Sequence, residues 1–245
     1  MAHYISGAPF WVVILFIGSF LVALTPIANT AKQAVLSSGM SIEKSKNVRS
    51  GVFIFFLLWL IYASALALTG GLSSNALPPR VMLFTTVPLT IILFLGVGNT
   101  GLYKRLLYST SLESLIRIHI FRLVGAFFMI LYFYRVFPAG FAFSASMGDI
   151  ITAIFAIPVA RAVAQKKSWS IKAVYAWNIF GILDIVSAVG FAIVTTIAAA
   201  QTGVRGPQEM TTFPFVFYPA FAPATILFLH YGIFKKLKQV SREQN

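Results

Sequence analysis

Long apolar runs separated by short polar connections recur along the whole chain, and every second connection is dense in lysine and arginine. An α-helix rises about 1.5 Å per residue, so roughly 20 apolar residues cross a hydrocarbon layer about 30 Å thick. Residues 9–31, 51–69, 81–98, 115–137, 174–200 and 212–234 meet that requirement. A seventh run, 149–165, would reach only about 25 Å at that rise. It also carries Pro158 and Arg161, which leaves a tilted or interfacial helix, and so six spans, as the alternative.

The basic residues decide between the two counts, because lysine and arginine accumulate in cytoplasmic loops. Lys32, Lys44, Lys46 and Arg49 fill the first connection, Lys104 and Arg105 the third, and Arg161, Lys166, Lys167 and Lys172 the fifth. Lys235, Lys236, Lys238 and Arg242 follow the last run. The intervening loops hold only Arg80, Arg135 and Arg205. Seven helices with the amino terminus outside and the carboxyl terminus cytosolic put every cluster on one face. Deleting the fifth span would move the last two clusters outside. The expected fold is therefore all-α: an integral membrane bundle of seven transmembrane helices.

Composition agrees. Of 245 residues, 58% are hydrophobic and 10% charged, against roughly 25% charged in soluble domains. No segment is polar enough for a soluble domain, so residues 1–245 are read as a single membrane domain. The net charge of +13 would suit nucleic acid, but the clusters follow topology and no nucleic-acid motif accompanies them, so that partner is excluded. Anionic lipid headgroups are the milder reading of the same loops. Cysteine is absent, which excludes disulfides, thiolate metal sites and a cysteine nucleophile. The amino terminus lacks a basic n-region and a small-residue cleavage site, so the first run reads as a span rather than a signal peptide.

The loops are short, and no repeat announces the inverted halves of a secondary transporter. Two capping boxes are expected, Thr110 with Glu113 before the fourth span and Ser146 with Asp149 before the fifth. Asp149 is then read as complementing the dipole at the outer start of the fifth helix.

A charge in hydrocarbon costs a few kcal/mol even on insertion scales, which makes ionisable residues inside spans the functional candidates. The fourth span carries Arg117, His119 and Arg122, the sixth Asn178 and Asp184, and the seventh His230 among Pro214, Pro219 and Pro223. Arg117 can snorkel to headgroups. His119 and Arg122, three apart, share a helix face. Asp184 lies about 18 Å along its helix from Lys172, near mid-membrane, where it must be protonated or paired. Arg122 is the nearest cation by depth, so an Arg122–Asp184 ion pair bridging the fourth and sixth helices is expected; a purely structural pair is the alternative. Trp177, Gly181 and Asp184 form one stripe, with the glycine allowing close approach. Pro219 and Pro223 free carbonyls of the preceding turn and kink the seventh helix.

Four stretches carry a family resemblance: LIRIHIFRLVG from Leu115 to Gly125, the Gly148–Asp149 pair, WNIFGILD from Trp177 to Asp184, and FPFVFYPAFAPATILFLH from Phe213 to His230. Through them the chain resembles a widespread, functionally uncharacterised family of bacterial inner-membrane proteins. Some members of that family have a glutamate four residues beyond the arginine, where this chain has Ala126, which implies a different partner for Arg122 here. The resemblance implies no reaction.

The leading functional expectation is a non-enzymatic protein of the inner membrane. Its fourth, sixth and seventh helices would enclose a polar pocket in which Arg122, Asp184, Asn178, His119 and His230 bind or pass a small molecule or a proton. The lipid bilayer and a small-molecule ligand are the expected partners. The alternative is a redox protein whose cofactor, haem or a divalent metal, is held by His119 and His230. An enzyme acting on lipid or isoprenoid substrates lacks an acidic metal-binding cluster, and a retinal protein would need a lysine inside the last span, which has none before Lys235. A structural or partner-binding subunit is the remaining class.

Overall fold

The computed structural model describes residues 4–5, 7–72, 78–204 and 206–243; Arg205, assigned above to an outer loop, lies outside them. A two-residue antiparallel pair, β1 (Tyr4–Ile5) and β2 (Ala8–Pro9), leads into α1 (Phe10–Ser37) and α2 (Ile42–Leu68). Then come α3 (Met82–Asn99), α4 (Gly101–Ser109), α5 (Leu112–Phe133), α6 (Ala139–Ala164), α7 (Ser170–Thr202) and α8 (Phe217–Glu243). Seven of these helices are long and apolar enough to cross a membrane; the nine-residue α4 is a connector.

α2 starts well before its apolar run, because its first turns are polar, whereas α5 ends at Phe133 and α8 begins at Phe217, inside theirs. α2 starts at Ile42 because the Ser41 hydroxyl accepts the Lys44 amide, 3.2 Å away, filling one of the four donors a helix start leaves open. Ser111, not Thr110, caps α5, accepting the Ser114 amide at 3.1 Å. Thr110 donates instead to the Leu106 carbonyl, and Glu113 pairs with Arg117 at 2.8 Å one turn on. The fifth span departs furthest from expectation. α6 begins at Ala139 and runs 26 residues, about 39 Å at helical rise, so it is not short. The segment AGFAFSASMG that opens it is small and weakly apolar, and it reads as loop only while its glycines and serines are counted as breakers. Ser146 and Asp149 are therefore in the helix interior and cap nothing; the Ser146 hydroxyl donates to the Phe143 carbonyl.

α8 carries Pro223 inside the helix. Without an N–H on Pro223, the Pro219 carbonyl loses its helical partner. Thr86 of α3 donates to it at 2.7 Å, and Trp59 of α2 donates to the neighbouring Ala220 carbonyl at 2.9 Å. Two other helices thus take up backbone groups of the turn the prolines disturb.

Two apolar cores result. The larger, rich in phenylalanine, holds Phe16, Phe20, Phe56, Phe128, Phe137, Phe141, Phe215 and Phe221. The smaller holds Leu107, Leu115, Val159, Trp177, Ile233 and Leu237. Along α6, α7 and α8 the larger core stops at Ala145, Ile185 and Phe228, and the smaller begins at Ala156, Trp177 and Ile233. Asp149, Asn178 with Asp184, and His230 fall at that seam. The smaller core lies toward the basic end: Arg105 of α4 donates to the Ser38 carbonyl after α1, and Lys236 of α8 donates to the Tyr108 carbonyl of α4.

Candidate functional site

The site starts from an unusual stretch of α5. Residues Ile118–Ala126 wind as a 3-10 helix, nine residues in a form that seldom exceeds three or four. With three residues per turn, His119, Arg122 and Gly125 stand in one line along the helix. Burial follows the same period: 118–119, 121–122 and 124–125 are buried, while Leu123 is exposed. An α-helix would rotate that line away by about 60° per step. The tighter winding keeps all three facing the interior.

Arg122 is 1% exposed and spends its donors on three other helices. Nε donates to Asp149 Oδ1 of α6 at 2.6 Å, and Nη2 donates to Asp184 Oδ2 of α7. Nη1 faces the Gly181 carbonyl of α7 at 3.1 Å and His230 Nε2 of α8 at 3.2 Å. The ion pair expected between Arg122 and Asp184 is present, and a second carboxylate, Asp149, shares the guanidinium. The other oxygen of Asp149 accepts from the Tyr218 hydroxyl of α8.

These contacts fix the state of His230. Arginine only donates, so His230 Nε2 accepts and carries no proton. Its Nδ1 therefore donates to Asn178 Oδ1 at 2.8 Å, and Asn178 Nδ2 returns a bond to the His230 carbonyl at 3.2 Å. The ring is neutral, and Asn178 sets its tautomer. The charge count follows: one guanidinium faces two carboxyls, so the cluster carries one net negative charge when both are ionised and none when one holds a proton.

Glycines make the room. A Cβ on Gly125 of α5 would collide with the Asp149 carboxylate, 2.6 Å from its Cβ; one on Gly148 of α6 would overlap the Asp184 carboxylate; one on Gly181 of α7 would strike the His230 ring and lie 3.1 Å from Arg122 Nη1. Each helix from α5 to α7 thus offers one glycine to an ionisable side chain of the next.

His119 is different. It is fully buried, yet neither ring nitrogen has a hydrogen-bond partner. Its ring centroid is 4.1 Å from that of His230 and 5.1 Å from the nearer Trp177 ring. A metal bound between the two imidazoles at a tetrahedral angle, with metal–nitrogen bonds near 2 Å, would hold the ring centroids about 5 Å apart, farther than they lie here. Touching rings do not suit axial ligation of a haem from opposite sides. Among the described residues, no group of three or more His, Asp or Glu is placed to hold a metal ion.

The side chains of the cluster fill their own space. Beside Arg122, Asp149 and Tyr218 a void of about 10 Å³ remains, near the volume one water needs. The larger space lies toward the end opposite the basic clusters, a cavity of about 550 Å³ between α3, α6, α7, α8 and the 206–212 segment. Its wall is apolar at Phe141, Ile185 and Ala188, its rim carries Arg80, Gln208 and Glu209, and Tyr218 reaches it. Tyr218 touches both the cavity and Asp149.

Residues 78–238 match the model of a domain of unknown function, DUF8737. The chain belongs to the DUF8737 family. The matched region covers α3 to α8 almost entirely, and with them every member of the buried cluster. No curated protein and no solved structure matches the chain.

Arg122, Asp184, Asn178, His119 and His230, the five candidates expected from the sequence, come together in the structure. Tyr218 joins them unexpectedly, and Asp149 stands in the cluster rather than at a helix cap. Asp149 was legible as the one acid in a small-residue segment that continues the helix backwards; Tyr218 has no such signal, since it is one of nine tyrosines.

Proposed function

We propose that this member of the DUF8737 family is a multi-pass protein of the bacterial inner membrane that binds or passes a small molecule in a proton-linked manner. The amino terminus is outside and the carboxyl terminus cytosolic, in keeping with basic residues gathered at one end of seven apolar helices. Arg122, Asp149 and Asp184 hold one exchangeable proton. The cavity above them receives the ligand, and Tyr218 couples the two.

One observation carries this reading: a single buried guanidinium shared by two carboxyls, one of which bonds the tyrosine that reaches the cavity. A pair meant only to fix helix register needs one acid per base. A second acid leaves a charge that must be balanced by a proton or a cation, because an unpaired buried charge is strongly unfavourable. A ligand that moves Tyr218 removes a hydrogen bond from Asp149 and alters where that proton rests. Charge balance is thereby tied to cavity occupancy.

The test is an infrared titration of purified protein, read at the protonated-carboxyl band, alongside a ligand screen by thermal shift at two pH values. The expected band is present in the wild type and lost in Asp149→Asn or Asp184→Asn, and a hit from the screen shifts its titration. A protein with no protonated carboxyl at any pH where it stays folded overturns the proposal.

A further inference from the structure

At the basic end, the last turns of α8 form one wall of a groove of about 890 Å³, with Tyr108 from the end of α4 and Tyr175 from the start of α7 completing it. Lys235, Lys238 and Arg242 are spaced i, i+3, i+7, which stacks them on one helix face, with Tyr231 one turn earlier on the same stripe. The Lys235 ammonium lies 4.5 Å from the Tyr231 ring centroid. Tyr175 meets Phe234 with centroids 6.1 Å apart. The three ion pairs among the described residues involve none of these cations. Lys236, on the adjacent face, instead ties α4 to α8 through the Tyr108 carbonyl.

We propose that this groove binds the phosphate headgroup of an anionic phospholipid. The proposal rests on the membrane reading but is independent of the proton-linked cluster. Aromatic rings line the groove at the level where the apolar run of α8 ends at Phe234, and the cations follow immediately beyond, an order that matches an acyl chain below and a phosphate above. A soluble polyanion would meet the same cations but has no use for the rings. The phosphate lies among Lys235, Lys238 and Arg242, and the uppermost chain segment packs on Tyr231 and Tyr175.

The experiment is thermal unfolding of the purified protein in a neutral detergent, with added phosphatidylglycerol, phosphatidylcholine or glycerol 3-phosphate. Native mass spectrometry counts retained lipid. Phosphatidylglycerol is expected to stabilise the wild type and remain bound, and the other two to do neither. At about 1 kcal/mol per basic residue near a headgroup, Lys238→Gln/Arg242→Gln weakens phosphatidylglycerol binding roughly thirtyfold, taking 1.4 kcal/mol as tenfold. Lys44→Gln/Lys46→Gln, which removes the same charge from the first basic turn, leaves it unchanged. Equal loss in both double variants would reduce the effect to net charge and overturn the site. Equal stabilisation by glycerol 3-phosphate overturns the lipid as its ligand. Proton titration of the Arg122 cluster is unaffected in either double variant, which separates this test from the preceding one.

Discussion

Gly148→Ala tests the architecture of the buried cluster at its tightest point. In an ordinary helix interior, glycine to alanine is favourable by about 1 kcal/mol. Gly190 of α7 offers that reference, because a Cβ there meets nothing within 4 Å. At Gly148 the same methyl would overlap the Asp184 carboxylate. Either Asp184 turns away from Arg122, or α6 and α7 separate. Breaking one partner from a buried ion pair costs about 3–5 kcal/mol; less the 1 kcal/mol of helix propensity, the net loss is about 2–4 kcal/mol. That lowers the folded-to-unfolded ratio roughly thirtyfold to several-hundredfold at 1.4 kcal/mol per tenfold. Reversible unfolding in mixed detergent micelles reads this against Gly190→Ala. In an Asp184→Ala background the penalty of Gly148→Ala should vanish, leaving a coupling of similar size in the double-mutant cycle. If Gly148→Ala unfolds like Gly190→Ala, or costs the same with and without Asp184, the contact is not what sets the helix spacing.

The two histidines should behave oppositely in the same assay. His230→Phe removes an acceptor from Arg122 and a donor from Asn178 and costs about 1–3 kcal/mol, the range for a buried polar group left unpaired, whereas His119→Phe removes two unpartnered nitrogens and is neutral or stabilising. Tyr218→Phe deletes a hydrogen bond to a charged group and lowers stability by about 1.5–3 kcal/mol, and it also uncouples ligand stabilisation from pH in the thermal-shift screen. Thr86→Val and Trp59→Phe each leave a carbonyl of the proline-bearing turn without its side-chain donor and cost about 0.5–1.5 kcal/mol, with coupling between them in a double-mutant cycle because the two carbonyls are consecutive in one turn.

How much of this was legible in sequence depends on the kind of signal. Seven helices long and apolar enough to cross a membrane follow from run length, since that signal reflects the solvent rather than the packing. The Arg122–Asp184 pair followed from depth, because a lone charge in hydrocarbon must find the nearest opposite one. Depth was counted at α-helical rise, and the 3-10 stretch was invisible: no residue type in IHIFRLVGA demands it. Asp149 was misassigned for a related reason. An acid at an apparent helix start reads as a cap, and only the small residues 139–148, read as helix rather than loop, carry it into the interior. Gly181 was legible as a point of close approach, but Tyr218 and the ladder that Gly181 forms with Gly125 and Gly148 depend on which helices are neighbours, which one sequence does not specify.

The glycines and the 3-10 turn answer one geometric problem. An arginine that reaches carboxylates on two helices and a histidine on a third must sit where four backbones converge. In that space each ionisable side chain needs a position with no Cβ opposite it. Three-residue periodicity on α5 supplies a straight line of His119, Arg122 and Gly125, so the same edge that projects the cation also provides the recess for Asp149. The recesses then pass from helix to helix, Gly148 beneath Asp184 and Gly181 beneath His230. A cluster built this way holds its charges with almost no spare volume, so under the proposed function a ligand larger than water would have to sit outside it and act through a side chain that touches both. Tyr218 is the side chain in that position, which is why its hydroxyl, more than the charges themselves, should decide whether binding and proton occupancy are linked.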